Sequence, residues 1–337
     1  MLEVGYKLCS EEQSPQELID CGRHAEAVGF TFAMISDHYH PWTERQGQSG
    51  FVWSVLGGLA QATERLVIGT AVTCPSFRIH PAIIAQAAAT VASLMPGRFI
   101  LGVGSGENLN EHIFAEHWPE ADVRLERLQE AIAVIRELWK GEQHSHYGKF
   151  FTVENARIFS FPERLPPIFV AASGPKSAEA AGRCGNGLIS TSPDKKVVEG
   201  FRRNGGAGKD CYGEMAVCWA ESEAEGLRTA FEHWPNLAIT GELSQVLPVP
   251  AHFEQAAKML REEDFAEDLV CGNKVEAYLE KLKKYEDAGF SHVFIHQIGP
   301  DQEGFFRFCE RKLLPALGTR TNGHARAKSG PQAQHAN

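Results

Sequence analysis

The chain is predicted to fold as a (β/α)8 TIM barrel, on three observations. Short apolar runs alternate with amphipathic helical stretches eight times, the pattern of a parallel sheet covered by helices. The segment Glu26-Ala27-Val28-Gly29-Phe30-Thr31-Phe32-Ala33-Met34-Ile35 is matched near the other end by Glu286-Asp287-Ala288-Gly289-Phe290-Ser291-His292-Val293-Phe294-Ile295. Both read helix, glycine stop, phenylalanine, strand, as a repeated unit closing into a ring would. Two groups of polar residues follow apolar runs directly: Asp37-His38 with Pro41-Trp42, and Gly104-Ser105-Gly106-Glu107 with Asn110. Carboxyl ends of buried strands are where α/β folds collect their chemistry. An open doubly wound sheet is the competing arrangement.

The elements follow in order. Glu3–Leu8 is a strand. Ser14-Pro15-Gln16-Glu17 is a capping box with proline at the first helical position. Leu18, Cys21, Ala25 and Val28 keep helical spacing up to Gly29, which can end the helix in a left-handed turn. Further strands are predicted at Phe30–Ile35, Leu66–Thr73, Phe99–Gly104, Pro167–Ala171, Gly187–Thr191, Met215–Trp219 and Phe290–Ile295. Helices are predicted at about 51–64, 80–94, 121–140, 175–184, 194–203, 222–232 and 273–288, the last capped by Asn273. In 121–140, Leu125, Leu128, Ile132, Ile135 and Leu138 share one face. Two insertions interrupt the alternation. Residues 141–166 hold a short β excursion, and 233–270 form a long connection that is partly helical around His252–Arg261. Inserts after barrel strands shape pockets. Residues 1–318 are therefore read as one barrel domain, and 319–337, poor in large apolar groups, as a disordered tail.

The 337 residues are enough for one large barrel, and 43% hydrophobic composition allows a full core. A net charge of -10 argues against nucleic acid and anionic membranes as partners. The 8 cysteines are scattered, with no CxxC pair and no metal-type spacing, so a reduced, cytoplasmic protein without a metal site is expected. No apolar run approaches the roughly 20 residues that span a bilayer.

Histidine is the side chain suited to taking a proton near neutral pH, and a neighbouring carboxylate holds its tautomer. His38 beside Asp37 fits this description; the turn at Pro41 aims His40 elsewhere. Trp42 offers a flat face and an N–H donor. The run Gly102-Val103-Gly104-Ser105-Gly106-Glu107 is a weak dinucleotide signature, because it opens the fourth unit and not the first. Its glycines let backbone amides approach a ligand. Glu107 then either projects into the barrel mouth or caps the segment near Asn110. One acid, one imidazole and one indole over a shared pocket suit proton-coupled hydride transfer on a ring cofactor. Cys74, with no cationic partner in view, is a small pocket-lining or buried residue. Ser173-Gly174 and Thr191-Ser192 lie at strand-to-helix junctions, where free amides can bind a phosphate.

Taken together, Asp37-His38-x-x-Pro41-Trp42, Gly69-Thr70, Pro81-Ala82-x-x-Ala85-Gln86, Pro96-x-Arg98 and Gly102-x-Gly104-x-Gly106-Glu107-x-x-Asn110-Glu111 resemble the F420-dependent glucose-6-phosphate dehydrogenase group. That group is part of the luciferase-like superfamily of flavin and deazaflavin barrels. The resemblance covers about residues 1–318. It implies coenzyme F420 at the carboxyl face of the barrel and a homodimer. It also implies a cis peptide between Ala71 and Val72, forming a bulge behind the ring. In the implied roles, His38 takes the substrate proton, Trp42 steadies developing charge and Glu107 protonates the ring. Asp37, Cys74, Gly104, Ser105, Gly106 and Asn110 lie on the cofactor, and Ser173, Gly174, Thr191 and Ser192 face its phosphate and ring. Sugar-phosphate enzymes of the group hold the substrate phosphate with basic residues in three late loops. The matching positions here are Ser244, Asp268 and, as the one retained charge, Lys195 or Lys196. An acid at such a site repels a phosphate, so a less charged alcohol or carbonyl compound is expected in place of glucose 6-phosphate. The stretch 40–51 also resembles a sister group that uses ordinary flavin, which makes an FMN-dependent reductase or monooxygenase the alternative.

Overall fold

Eight parallel strands close into a barrel in the computed structural model, which describes residues 2–318 except Thr240 and 266–268. The strands are β1 (Glu3–Leu8), β2 (Phe32–Ile35), β3 (Val67–Thr70), β4 (Phe99–Val103), β7 (Ile168–Ala171), β8 (Gly187–Ser190), β9 (Cys211–Cys218) and β11 (His292–Gln297). Between β4 and β7 lies the antiparallel hairpin β5 (His144–Tyr147) and β6 (Thr152–Ala156); the short β10 (Val270–Cys271) runs beside β9. Around the ring the order is β9, β11, β1, β2, β3, β4, β7, β8, and the β8–β9 pairing closes it. No helix among the described residues is long and apolar enough to cross a membrane.

Local chemistry sets the element ends. Ser14 accepts from the Glu17 N–H while the Glu17 carboxylate accepts from the Ser14 N–H, so the capping box starts the helix Pro15–Val28. Gly29 (φ 108°) and Gly289 (φ 98°) end their helices in the left-handed region, which a side chain would strain. Three expectations are corrected. The strand placed at Met215–Trp219 begins four residues earlier, at Cys211. Lys274, not Asn273, is the N-cap residue of Val275–Ala288, because the Asn273 amide donates instead to the Glu221 carbonyl. The connection 233–270 carries its longest helix at Pro250–Ala257. The proposed tail 319–337 lies outside the described residues.

Inside the ring the side chains form layers. The lower layer is apolar: Phe32, Met34, Ile100, Phe169, Tyr212 and Phe294. Toward the carboxyl ends it gives way to the ionised side chains Lys7 and Glu214. Outward-facing Val4, Tyr6 and Leu8 pack under the helices, joining the main core, since side chains alternate across a strand. Where β3 meets β4 the chains nearly touch: a Cβ on Gly102 would lie 1.9 Å from the Thr70 carbonyl oxygen. Gly102→Ala is therefore expected to cost about 3 kcal/mol of stability through overpacking, read as a lower urea midpoint. An unchanged midpoint would show that β3 and β4 can part freely.

Candidate active site

At the carboxyl end of the barrel is a cavity of about 370 Å³, within the range of small-molecule sites. His38, Trp42, Ala71, Val72, Gly104, Ser105, Gly106, Glu107, Ser173, Thr191 and Ser244 all line it. The His38 and Trp42 rings lie edge to face with centroids 5.3 Å apart. Glu107 occupies the N-cap position of the short helix Asn108–Glu111 but its side chain makes no cap hydrogen bond, so the carboxylate is free to face the cavity. The Ala71–Val72 peptide is cis.

Asp37 does not take part in the cavity lining. Its side chain is fully buried, accepting from Thr73 Oγ1 at 2.7 Å and pairing with Arg78 at 2.7 Å. Successive residues leaving a strand point to opposite sides, so His38 turns inward and Asp37 turns out toward Arg78. The carboxylate that holds His38 is Glu11, whose Oε1 lies 2.9 Å from His38 Nδ1. Ser36 Oγ donates to Glu11 Oε2 at 2.6 Å. Burial alone would lower the His38 pKa, but Glu11 outweighs it and the value stands above the usual 6.5. Burial likewise opposes ionisation of Glu11, and His38 and then Lys7 reverse this, holding the carboxyl well below its usual range.

Lys7 and Glu214 were not singled out in the sequence either. Lys7 Nζ is 3.2 Å from Glu214 Oε2, and both line the cavity. Burial would raise the Glu214 pKa, yet Lys7 and His296 bring it down to about 2. The available signal was a lysine inside the apolar run Glu3–Leu8 and a glutamate inside Cys211–Cys218, charges that a closed barrel admits only as partners.

Other expected contacts sit behind the cavity wall. Asn110 Oδ1 accepts from the Tyr39 and His40 amides at 2.9 and 3.0 Å, pinning the loop that carries Trp42. Cys74 is buried against Ser76 Oγ at 3.2 Å, and a Cβ on Gly106 would meet its sulfur at 2.7 Å. His40 bonds the Leu109 carbonyl at 2.8 Å, away from His38. The Ser173 and Gly174 amides, expected free for a phosphate, both donate to Ser177 Oγ. At the second junction Asp194 caps the helix Lys195–Phe201 by accepting from the Lys196 amide at 2.7 Å. An aspartate there already supplies the negative charge a phosphate would bring. Ser192 and Lys195 are exposed and outside the cavity lining, Gly174 is also outside it, and Asp268 lies outside the described residues.

The closed parallel barrel thus keeps an acid, an imidazole and an indole around one cavity at its carboxyl end. The chain belongs to the luciferase-like monooxygenase family, whose model matches residues 3–292. Among its relatives is an F420-dependent glucose-6-phosphate dehydrogenase of Microbacterium testaceum, 38% identical over 332 residues, covering 95% of this chain and 98% of the relative. The enzyme of the same name from Rhodococcus erythropolis is 36% identical over 330 residues, covering 94% and 98%. Among solved structures, an F420-dependent secondary alcohol dehydrogenase in complex with an F420-acetone adduct aligns with a TM-score of 0.87 at 26% identity, over 94% of this chain and 99% of that one.

Proposed function

We propose that the chain is an F420-dependent oxidoreductase that moves a hydride between the coenzyme and a small uncharged alcohol or carbonyl compound. The cofactor rests on the relatives and on the fit of the cavity. Ala71, Val72, Gly104, Ala171 and Ile189 give the cavity a lining of small and apolar side chains. A Cβ on Gly104 would strike Val72 Cγ2 at 2.5 Å, so this lining keeps its shape only with glycine there. Ser190 Oγ, buried in the same lining, has no partner. F420, when bound, supplies the ring carbon that gains or loses the hydride. His38 takes the hydroxyl proton at Nε2 while Glu11 holds Nδ1. Trp42 would confine the substrate beside His38, and Glu107 would hold the proton destined for the ring.

The observation that carries the substrate class is the charge of the cavity. Glu11, Glu107 and Glu214 line it; among the described lining residues the one lysine or arginine is Lys7, already committed to Glu214. A sugar phosphate would meet three carboxylates and, among the described lining residues, no unpaired lysine or arginine. The outer wall comes from the long insertion, as expected of it: Trp234, Leu237 and Ile239, with Asn236, Ser244 and Gln245 as neutral polar groups. The test is turnover of F420 by purified enzyme with a panel of short alcohols and with glucose 6-phosphate. Oxidation of a neutral alcohol with kcat/KM at least about tenfold above that for glucose 6-phosphate supports the reading. Preference for the phosphate ester removes the substrate half of it, and tight binding of FMN with none of F420 removes the cofactor half. Exposed Ile83 and Leu94 on the helix Pro81–Leu94 support the pairing of two copies, and eight free cysteines support a reducing, cytoplasmic setting.

A further inference from the structure

We propose that Cys9, Glu12 and His296 form a binding site for a divalent transition metal of the zinc class, outside the lining of the coenzyme cavity. Their ligand atoms, one from each residue, lie within 4.8 Å of one another. No other group of this kind occurs among the described residues. A thiol, a carboxylate and an imidazole are the donor set that zinc and cobalt prefer over magnesium and calcium.

Two further observations point to a ligand. His296 is 1% exposed, and its buried Nε2 has no hydrogen-bond partner, which is costly for a polar atom in such a place. Its Nδ1 lies 3.3 Å from Glu214 Oε1. A carboxylate on one ring nitrogen with the other left open is how metal-binding histidines are commonly oriented. The Trp234 ring packs edge-on against the imidazole at 4.6 Å and fixes it from the cavity side. The second observation is an acidic cavity that shares Glu12 with the three-donor group. Glu12 also borders a separate cavity of about 460 Å³, together with Glu17, Asp20 and Glu303. His24 and His233 also border it, and Arg45 adds the one guanidinium, paired to Glu232. Carboxylates around such a cavity draw cations toward it, and Glu12 borders it. His233 Nδ1, 3.1 Å from Glu12 Oε1, orients that carboxylate from the cavity side.

The sequence shows no spacing for this site because its parts come from opposite ends of the chain. Cys9 and Glu12 follow β1, and His296 is on β11, the strand paired beside it. The metal would join the first and last strands of the barrel. On binding, the sulfur–metal bond forms as the Cys9 thiol proton leaves to solvent, and the thiol gives up its 3.3 Å hydrogen bond to Glu11 Oε2. No change of oxidation state is involved.

The test uses the whole chain, stripped with a chelator and free of F420. Addition of Co²⁺ is expected to give a thiolate-to-cobalt charge-transfer band saturating at a single equivalent per chain. Zn²⁺ should displace it, release a proton and raise Tm, since a ligand of the native state stabilises it. Cys9→Ser should abolish the band, and His296→Gln should weaken binding by at least about tenfold, whereas exposed His117→Gln should change neither. Absence of any thiolate band in the wild-type protein overturns the proposal, with no need for the variants to fold. So does cobalt binding that is the same in all three variants, which would reflect surface histidines alone.

Discussion

Replacing His38 by alanine is expected to lower turnover in the alcohol-oxidising direction by about 10²–10⁴-fold, the usual contribution of a general base. The cavity holds no substitute: His296 is sealed behind Trp234, and Lys7 is bound to Glu214. The pH profile carries a sharper test. His38 accepts a proton only in its neutral form, and Glu11 raises its pKa above 6.5 against the pull of burial. The rate should therefore rise with pH through that raised value. Glu11→Gln removes the charge that does the raising and leaves burial to act. The acidic limb of kcat/KM should then move to lower pH, even as kcat falls with the loss of ring orientation. Stability should respond in the same variant. A carboxyl held below its unfolded pKa contributes stability that is present above that value and is lost as pH falls through the folded one. The wild type should lose this contribution in acid, and Glu11→Gln should lack it at pH 7. A limb unmoved in Glu11→Gln would separate Glu11 from His38 and leave the titration to another group.

The same pair shows how far the sequence could be read. The barrel was legible because its signals are local: a capping box at Ser14, glycine stops at Gly29 and Gly289, and apolar runs of strand length. His38, Trp42 and Glu107 were legible because each follows such a run, and carboxyl ends of strands face a barrel's mouth. Asp37 was assigned to His38 because it is adjacent in sequence. Adjacency in an extended segment sends side chains apart, and the aspartate serves Arg78 instead. Glu11 comes from the end of the neighbouring strand, 27 positions earlier in numbering, and pairing across strands leaves no mark on either segment alone. Glu214 has the same cause and hid part of β9 as well. A glutamate in mid-strand reads as a boundary until Lys7 is known to face it. What the sequence withheld was thus partner choice between distant segments, and the buried charges depend on it.

Glu107→Gln is expected to lower turnover by a similar factor, about 10²–10⁴, while F420 remains bound in equilibrium dialysis. Glutamine keeps the size of the side chain and the extended N-cap backbone at position 107 (φ -124°, ψ 146°), so the loop 104–107 should keep its shape. It cannot give up a proton. Glu107→Asp restores the acid with a shorter reach and should recover part of the activity, which a purely structural role would not require. One other carboxyl on the short helix could stand in. Burial pushes the Glu111 pKa up to about 7 against the opposing pull of Arg78, so it holds a proton near neutrality. Yet Glu111 is 2% exposed, accepts from the Arg78 amide at 2.9 Å and is absent from the cavity lining. Residual turnover in Glu107→Gln should accordingly keep only the rise with pH that His38 sets, with no increase as pH falls through about 7. A residual rate that climbs as pH falls through about 7, and disappears in the Glu107→Gln, Glu111→Gln double variant, would transfer the proton-donating role to Glu111. Wild-type turnover in the single variant would take the Glu107 carboxylate out of the chemistry altogether.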